Sequence, residues 1–183
     1  MKELSLHILD VAENGISAGA DIVRVEVDEA LGENRFKIII TDNGRGISDD
    51  ILAGVTNPFY TTRTTRRVGL GLSLLESAAR RCAGSMRIES APGKGTRIIA
   101  EFKHDHIDRA PLGDIISTMT TLIMGNPDVD FEYCHQIDGT QFSVNTRDVK
   151  EETGSRFVTD AAVFQLLYKK LHNGLNQLKS GER

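Results

Sequence analysis

Residues 36 to 47 read FKIIITDNGRGI, an apolar run that ends in Asp42, Asn43 and two glycines with Arg45 between them. Phe36 to Ile40 is apolar enough for a central strand. The DNGRG stretch after it admits two readings. Asp-Asn-Gly is turn chemistry wherever it occurs, so a plain hairpin turn is one. The other is the floor of a pocket. A carboxylate at the end of a buried strand carries a desolvation cost unless donors reach it, and glycines let a flat ligand approach the backbone. The exocyclic amine of adenine is such a donor, and guanine presents an oxygen there instead. On that reading Asp42 selects adenine, and Gly44, Gly46 and Ile47 complete the floor.

On either side the pattern alternates helix and strand. Residues 3 to 18 are predicted helical, with Leu4, Ile8 and Val11 beside Leu9, Ala12 and Ile16 as a wide apolar face, and Gly15 and Gly19 bracketing the end. Ile22 to Val27 alternates apolar with polar, as a one-sided strand does. Ser48 heads a short helix, SDDILAGV, with two acids in its first turn. Residues 56 to 68, rich in Thr and Arg and without period, form a loop. Gly69 opens a helix that Gly84 stops, and residues 86–89 and 97–102 pair as a hairpin across APGKGT. The order α-β-β-α-loop-α-β-β predicts an α/β (α+β) two-layer sandwich: a mixed, mostly antiparallel sheet with helices on one face. Residues 1–103 are expected to form this domain.

Beyond residue 104 the style changes. HDHIDR reads as a connector, Pro111 as the start of a helix, and residues 129–133 and 142–144 as two strands joined across Asp138-Gly139. This 104–150 extension is expected to complete the sheet and cover an exposed edge. RDVKEETGSR, residues 147–156, reads as a charged linker. Residues 151–183 would then be linker plus an amphipathic helix. In it Phe157, Ala161, Phe164, Tyr168, Leu171, Leu175 and Leu178 fall at alternating gaps of four and three, a stripe suited to docking a protein partner or a second copy.

Bulk composition narrows the function. The chain has 183 residues, 39% hydrophobic and 26% charged, with net charge -4. That balance argues against nucleic acid or an acidic membrane as the main partner. No apolar run approaches the ~20 residues of a membrane span. The two cysteines, Cys82 and Cys134, stand far apart and read as free thiols of a cytoplasmic protein.

Three further islands carry chemistry. Asp10 and Asn14, at i and i+4, share one helix face, a hard oxygen pair suited to Mg²⁺ and to orienting a water or hydroxyl. His7 lies one turn earlier and reads as part of a solvated polar face. Gly69-Leu70-Gly71-Leu72 begins a helix after Arg63, Arg66 and Arg67, and free N–H groups at such an end suit phosphates. Gly93-Lys94-Gly95-Thr96 joins the last two strands of the domain; Thr96 matters only if its hydroxyl lies beside Asp42. No GxxxxGK[ST] loop is present, and the G-x-G-x-x-G fingerprint fails.

Taken in order, these islands resemble the ATP-binding domain shared by histidine kinases, gyrase-type topoisomerases, large heat-shock chaperones and mismatch-repair ATPases. ILDVAENGISAGAD is similar to that family's first motif, DNGRGI to its adenine box, NPFYTTR to the phenylalanine box before the lid, GLGL to the lid's end and GKGT to the final glycine-threonine motif. The resemblance covers residues 3 to 103. It implies a Bergerat-type fold that binds ATP with Mg²⁺: Asn14 on the metal, Asp42 on the adenine amine with Thr96 beside it. It further implies Phe59, Thr61, Thr62 and Arg63 along a Thr/Arg-rich lid, and Gly69, Leu70, Gly71 and Leu72 at the phosphates. Hydrolytic members of that family place a Glu where this chain has Asp10, one methylene shorter. Asp10 is still the expected catalytic residue, in an ATP-dependent protein kinase of the anti-sigma type or a weak ATPase. The alternative is an ATP-operated binding module or a subunit of a larger complex, with slow or no hydrolysis.

Overall fold

The computed structural model describes residues 2–52 and 70–181. Its elements, in chain order, are α1 (Leu4–Ser17), β1 (Ile22–Ala30), β2 (Arg35–Asp42), α2 (Asp49–Leu52), α3 (Leu70–Arg81), β3 (Ser85–Ser90), β4 (Thr96–Lys103), α4 (Ile115–Gly125), β5 (Asp130–Ile137), β6 (Thr140–Asn145), α5 (Thr146–Thr153) and α6 (Ala161–Gly181).

One six-stranded sheet runs β3-β4-β2-β1-β5-β6. β1 and β5 pair parallel, Ile22 opposite Asp130, and every other pair is antiparallel. The fold is a two-layer sandwich of a mixed sheet and helices. Alternation explains which face is buried. Val23, Val25 and Val27 of β1, Phe36, Ile38 and Ile40 of β2, and Phe131 and Tyr133 of β5 belong to the core that α1, α3, α4 and α6 cover. The strand residues between them are largely charged. Lys37 reaches Asp28 at 3.3 Å and Arg97 reaches Glu89 at 3.2 Å, partly exposed pairs of small energetic weight.

The N-terminus of α1 is satisfied from a distant segment. Glu3 supplies no side-chain cap, but the N–H groups of Leu4 and Ser5 donate to the carbonyls of Pro111 and Leu112 at 2.9 and 2.8 Å. Pro111 is therefore not a helix start, contrary to expectation. It lies in the chain ahead of α4, whose N-cap is Asp114, accepting from the Ser117 N–H at 2.9 Å.

Two other expectations fail. Residues 147–153 are not linker: they belong to α5, capped by Asn145, which accepts from the Arg147 N–H, and ended by Gly154 at φ 68°. In α6 the buried stripe is Val163, Leu167, Leu171, Gly174 and Leu178. Of the predicted docking stripe, Leu171 and Leu178 thus face the protein's own core, while Phe157 and Tyr168 are 66% and 48% exposed. Gly174 has a packing role, since a Cβ there would stand 2.2 Å from the Phe142 ring of β6.

Candidate functional site

Asp42 ends β2 opposite Val23 on one side and Thr96 on the other, so the strand register alone brings the adenine-box acid beside the glycine-threonine motif. Asp42 is 9% exposed. Its Oδ1 accepts the Gly44 N–H at 2.9 Å, an Asx turn that shapes the loop. Burial pushes the Asp42 carboxyl above the ordinary carboxylate range, although the N–H groups of Gly44 and Thr96 pull the other way. An Asx turn and a desolvated carboxyl occupy the same residues, so the turn reading of TDNGRG does not exclude the pocket reading.

The loop is held from three sides. Asn43 Oδ1 accepts from the N–H groups of Asp21 and Ile22 at 2.8 and 2.9 Å, fixing the loop to the start of β1. The Ile47 N–H donates to Ser90 Oγ at 2.9 Å; that hydroxyl donates to the Gly95 carbonyl at 2.8 Å and lies 3.0 Å from Thr96 Oγ1. Gly95, at φ 78°, passes so close to β2 that a Cβ would stand 1.9 Å from the Asp42 carbonyl oxygen. Ser90 and Asn43 escape sequence reasoning because a serine at a hairpin's end and an asparagine in a turn look ordinary.

α1 contributes the second half. Gly15 is not a terminator but an interior helix residue pressed against Asp42: a Cβ there would stand 2.7 Å from Asp42 Cβ and 2.9 Å from Oδ2. Earlier on this helix, Asp10 is exposed and Asn14 half-buried. Gly71, in the first turn of α3, faces both: its added Cβ would lie 3.2 Å from Asp10 Cβ and 3.8 Å from Asn14 Nδ2. That first turn carries no acid, so its N–H groups offer an uncancelled partial positive charge. The core buries Leu72 behind it. Asp10, Asn14, Gly71, Asp42, Gly44, Gly46, Ile47 and Thr96 thus line one end of the sheet and its helices. Phe59, Thr61, Thr62, Arg63 and Gly69 lie outside the described residues.

His7 is not on a solvated face. It is 3% exposed, and its Nδ1 has no hydrogen-bond partner among the described residues. Burial, with help from the nearby Arg81 guanidinium, lowers its pKa to about 4, so the ring is neutral at pH 7.

Among the described residues no three His, Cys, Asp or Glu side chains converge as a metal cage. Oxygen donors from Asp10 and Asn14 fit a Mg²⁺ that takes its remaining ligands from phosphates and water.

Comparison with known proteins agrees with this geometry. A family model described as histidine kinase-, DNA gyrase B- and HSP90-like ATPase matches residues 2–106. A sensor-like histidine kinase of Rhizobium meliloti is 38% identical over 86 residues, 44% of this chain and 16% of that protein. Sporulation kinase D of Bacillus subtilis is 31% identical over 91 residues, 50% of this chain and 18% of that one. The chain thus spans a small fraction of the curated relatives it matches. In fold it is similar to the N-terminal domain of a DNA repair protein, with TM-score 0.58 and 15% identity over 79% of this chain and 52% of that chain.

Proposed function

Because the chain belongs to the family of histidine kinase-, DNA gyrase B- and HSP90-like ATPases, we propose that it is a regulatory ATP-binding protein that passes the γ-phosphoryl group to a hydroxyl on a partner protein. The observation that carries this reading is the buried Asp42 carboxylate, walled by Gly15 and joined through the strand register to Thr96. Desolvated, it is a demanding acceptor in its ionised form, and the adenine amine answers it. The N-terminal turn of α3 then receives the phosphates, with Thr61, Thr62 and Arg63 completing their contacts. Asn14 would hold Mg²⁺, which would supply charge neutralisation at the phosphates.

In the transfer, the acceptor oxygen forms a bond to Pγ while the bond from Pγ to the bridging oxygen breaks and ADP leaves. The acceptor's proton passes to the Asp10 carboxylate, which also orients the hydroxyl. Cys82 and Cys134 are free thiols, and no helix among the described residues is long and apolar enough to cross a membrane. A cytoplasmic site of action, where ATP is available, suits these features. The partner, or a second copy, docks on the exposed side of the C-terminal segment at Phe157, Phe164 and Tyr168.

A second reading has its own support. Asp10 is one methylene shorter than glutamate, and displacement of a reacting atom by ~1 Å lowers rates by about a hundredfold. An ATP-operated binding module with little turnover follows from that. Incubation with γ-labelled ATP, Mg²⁺ and proteins captured on the full chain separates the two. Label on a captured protein, lost with Asp10→Ala while ATP still binds, supports the kinase. Capture that depends on ATP but leaves no label supports the module.

A further inference from the structure

At the other end of the sheet from Asp42, β1 carries a second, half-buried acid. Glu29 lies six residues beyond Val23, on the order of 20 Å along the strand, and pairs with Phe36 of β2 and Ile137 of β5. Its carboxylate is shared between two histidines: Oε1 accepts from His135 Nε2 at 2.9 Å and Oε2 from His104 Nε2 at 2.8 Å. The other ring nitrogen of His135, Nδ1, shares a hydrogen bond with the Tyr133 hydroxyl at 2.9 Å. Both Nε2–H groups donate to Glu29, because an ionised carboxylate can only accept. Burial alone would push the Glu29 carboxyl up, but hydrogen bonds from His135 and His104 outweigh it and hold it below the usual carboxylate range.

This cluster is not sealed. Glu29 keeps 15% of its side chain accessible and, with His135, lines a cavity of about 370 Å³ between α4, the end of β5 and the last turns of α6. The walls are aliphatic, formed by Ile115, Ile137, Leu175 and Leu178, and Asp114 and Lys179 stand in the lining as well. Asp114 is exposed, with its carboxylate taken up by the Ser117 N–H and hydroxyl, so Glu29 is the half-buried acid of this lining. Each Glu29 oxygen has one histidine donor and lone-pair capacity for another.

We propose that this cavity is a binding site for a small amphiphilic amine, its ammonium group on the Glu29 carboxylate and its aliphatic body against the α4–α6 walls. An anion would meet the Glu29 carboxylate. A neutral apolar ligand would leave the carboxylate's remaining capacity unanswered. This site shares no residue with the nucleotide site, so its test stands apart from the ATP reading.

The test uses the full chain at pH 8 without nucleotide, titrated with n-hexylammonium, hexan-1-ol and hexanoate while the methyl resonances of Ile115, Ile137 and Leu175 are followed by NMR. Hexylammonium is expected to shift these methyls saturably, at least about tenfold more tightly than hexanol, with hexanoate weakest. Glu29→Gln should bring amine and alcohol within about twofold of each other. Should that variant fail to fold, Leu175→Phe fills the cavity without touching the cluster and should abolish the shifts while the methyl spectrum stays dispersed. Equal affinity for amine and alcohol in the unaltered protein, preference for hexanoate, or shifts that survive Leu175→Phe would overturn the proposal.

Discussion

Gly15 packs so closely on Asp42 that nothing larger than hydrogen fits between α1 and the carboxylate. An added methyl would stand 2.7 Å from Asp42 Cβ and 2.9 Å from Oδ2. Gly15→Ala should gain intrinsic helix propensity of about 1 kcal/mol yet lose on balance, since overpacking costs about 1–3 kcal/mol. ATP affinity should fall by at least about tenfold as the acid is displaced. Calorimetric titration and thermal melts check both; unchanged affinity would mean that Asp42 does not need this wall. His7 makes a second test of a single side chain. Its folded pKa, about 4, lies below its ordinary value of 6.5, so the stability it contributes is full above pH 6.5 and is lost as pH falls towards 4. The loss is on the order of 3 kcal/mol. His7→Leu should remove that share of acid destabilisation, measured by urea unfolding at about pH 7 and about pH 4.5. An identical acid loss in both proteins would contradict it.

Periodicity and strand register explain which elements could be read in the sequence and which could not. The strands of the first domain are legible because β1 and β2 present period-two or continuous apolar runs, and DNGRGI and GKGT stand at strand ends, where the register makes them meet. That Asp10 and Asn14 share a face also follows from helical spacing. Gly15 looks like a terminator because glycine's usual role hides a close approach. α5 is hidden because it buries little besides Val149 and has no apolar period, although Asn145 and Gly154 are readable caps. In α6 the apolar pattern points to the wrong stripe: Gly174 contributes no hydrophobic signal, yet it receives the Phe142 ring. Gly174→Ala should therefore destabilise the protein by about 1–3 kcal/mol. Combining it with Phe142→Ala should recover part of the loss, which melts of the double variant would reveal; simple additivity would argue against the contact.

At opposite ends of two neighbouring strands, the sheet separates two carboxylates of opposite character, Asp42 buried and Glu29 half-buried. Asp42, at one end, is raised by burial and Glu29, at the other, is lowered by its histidines. The signs have consequences. Asp42 favours the folded state most below the ordinary carboxylate range, and this contribution is lost as pH rises through its raised pKa. A donor ligand prefers the ionised form, so ATP should bind with proton release across that same window. Glu29's contribution is present above the ordinary range and fades in acid. The adenine pocket itself is tested by the affinity of Mg-ATP and Mg-GTP for the intact chain, measured by calorimetry beside Asp42→Asn. ATP should bind at least about tenfold more tightly than GTP, and Asp42→Asn should weaken ATP by a similar factor while the melt still shows a folded protein. Equal affinity for both nucleotides, or ATP binding untouched by Asp42→Asn, would contradict an adenine pocket built on Asp42.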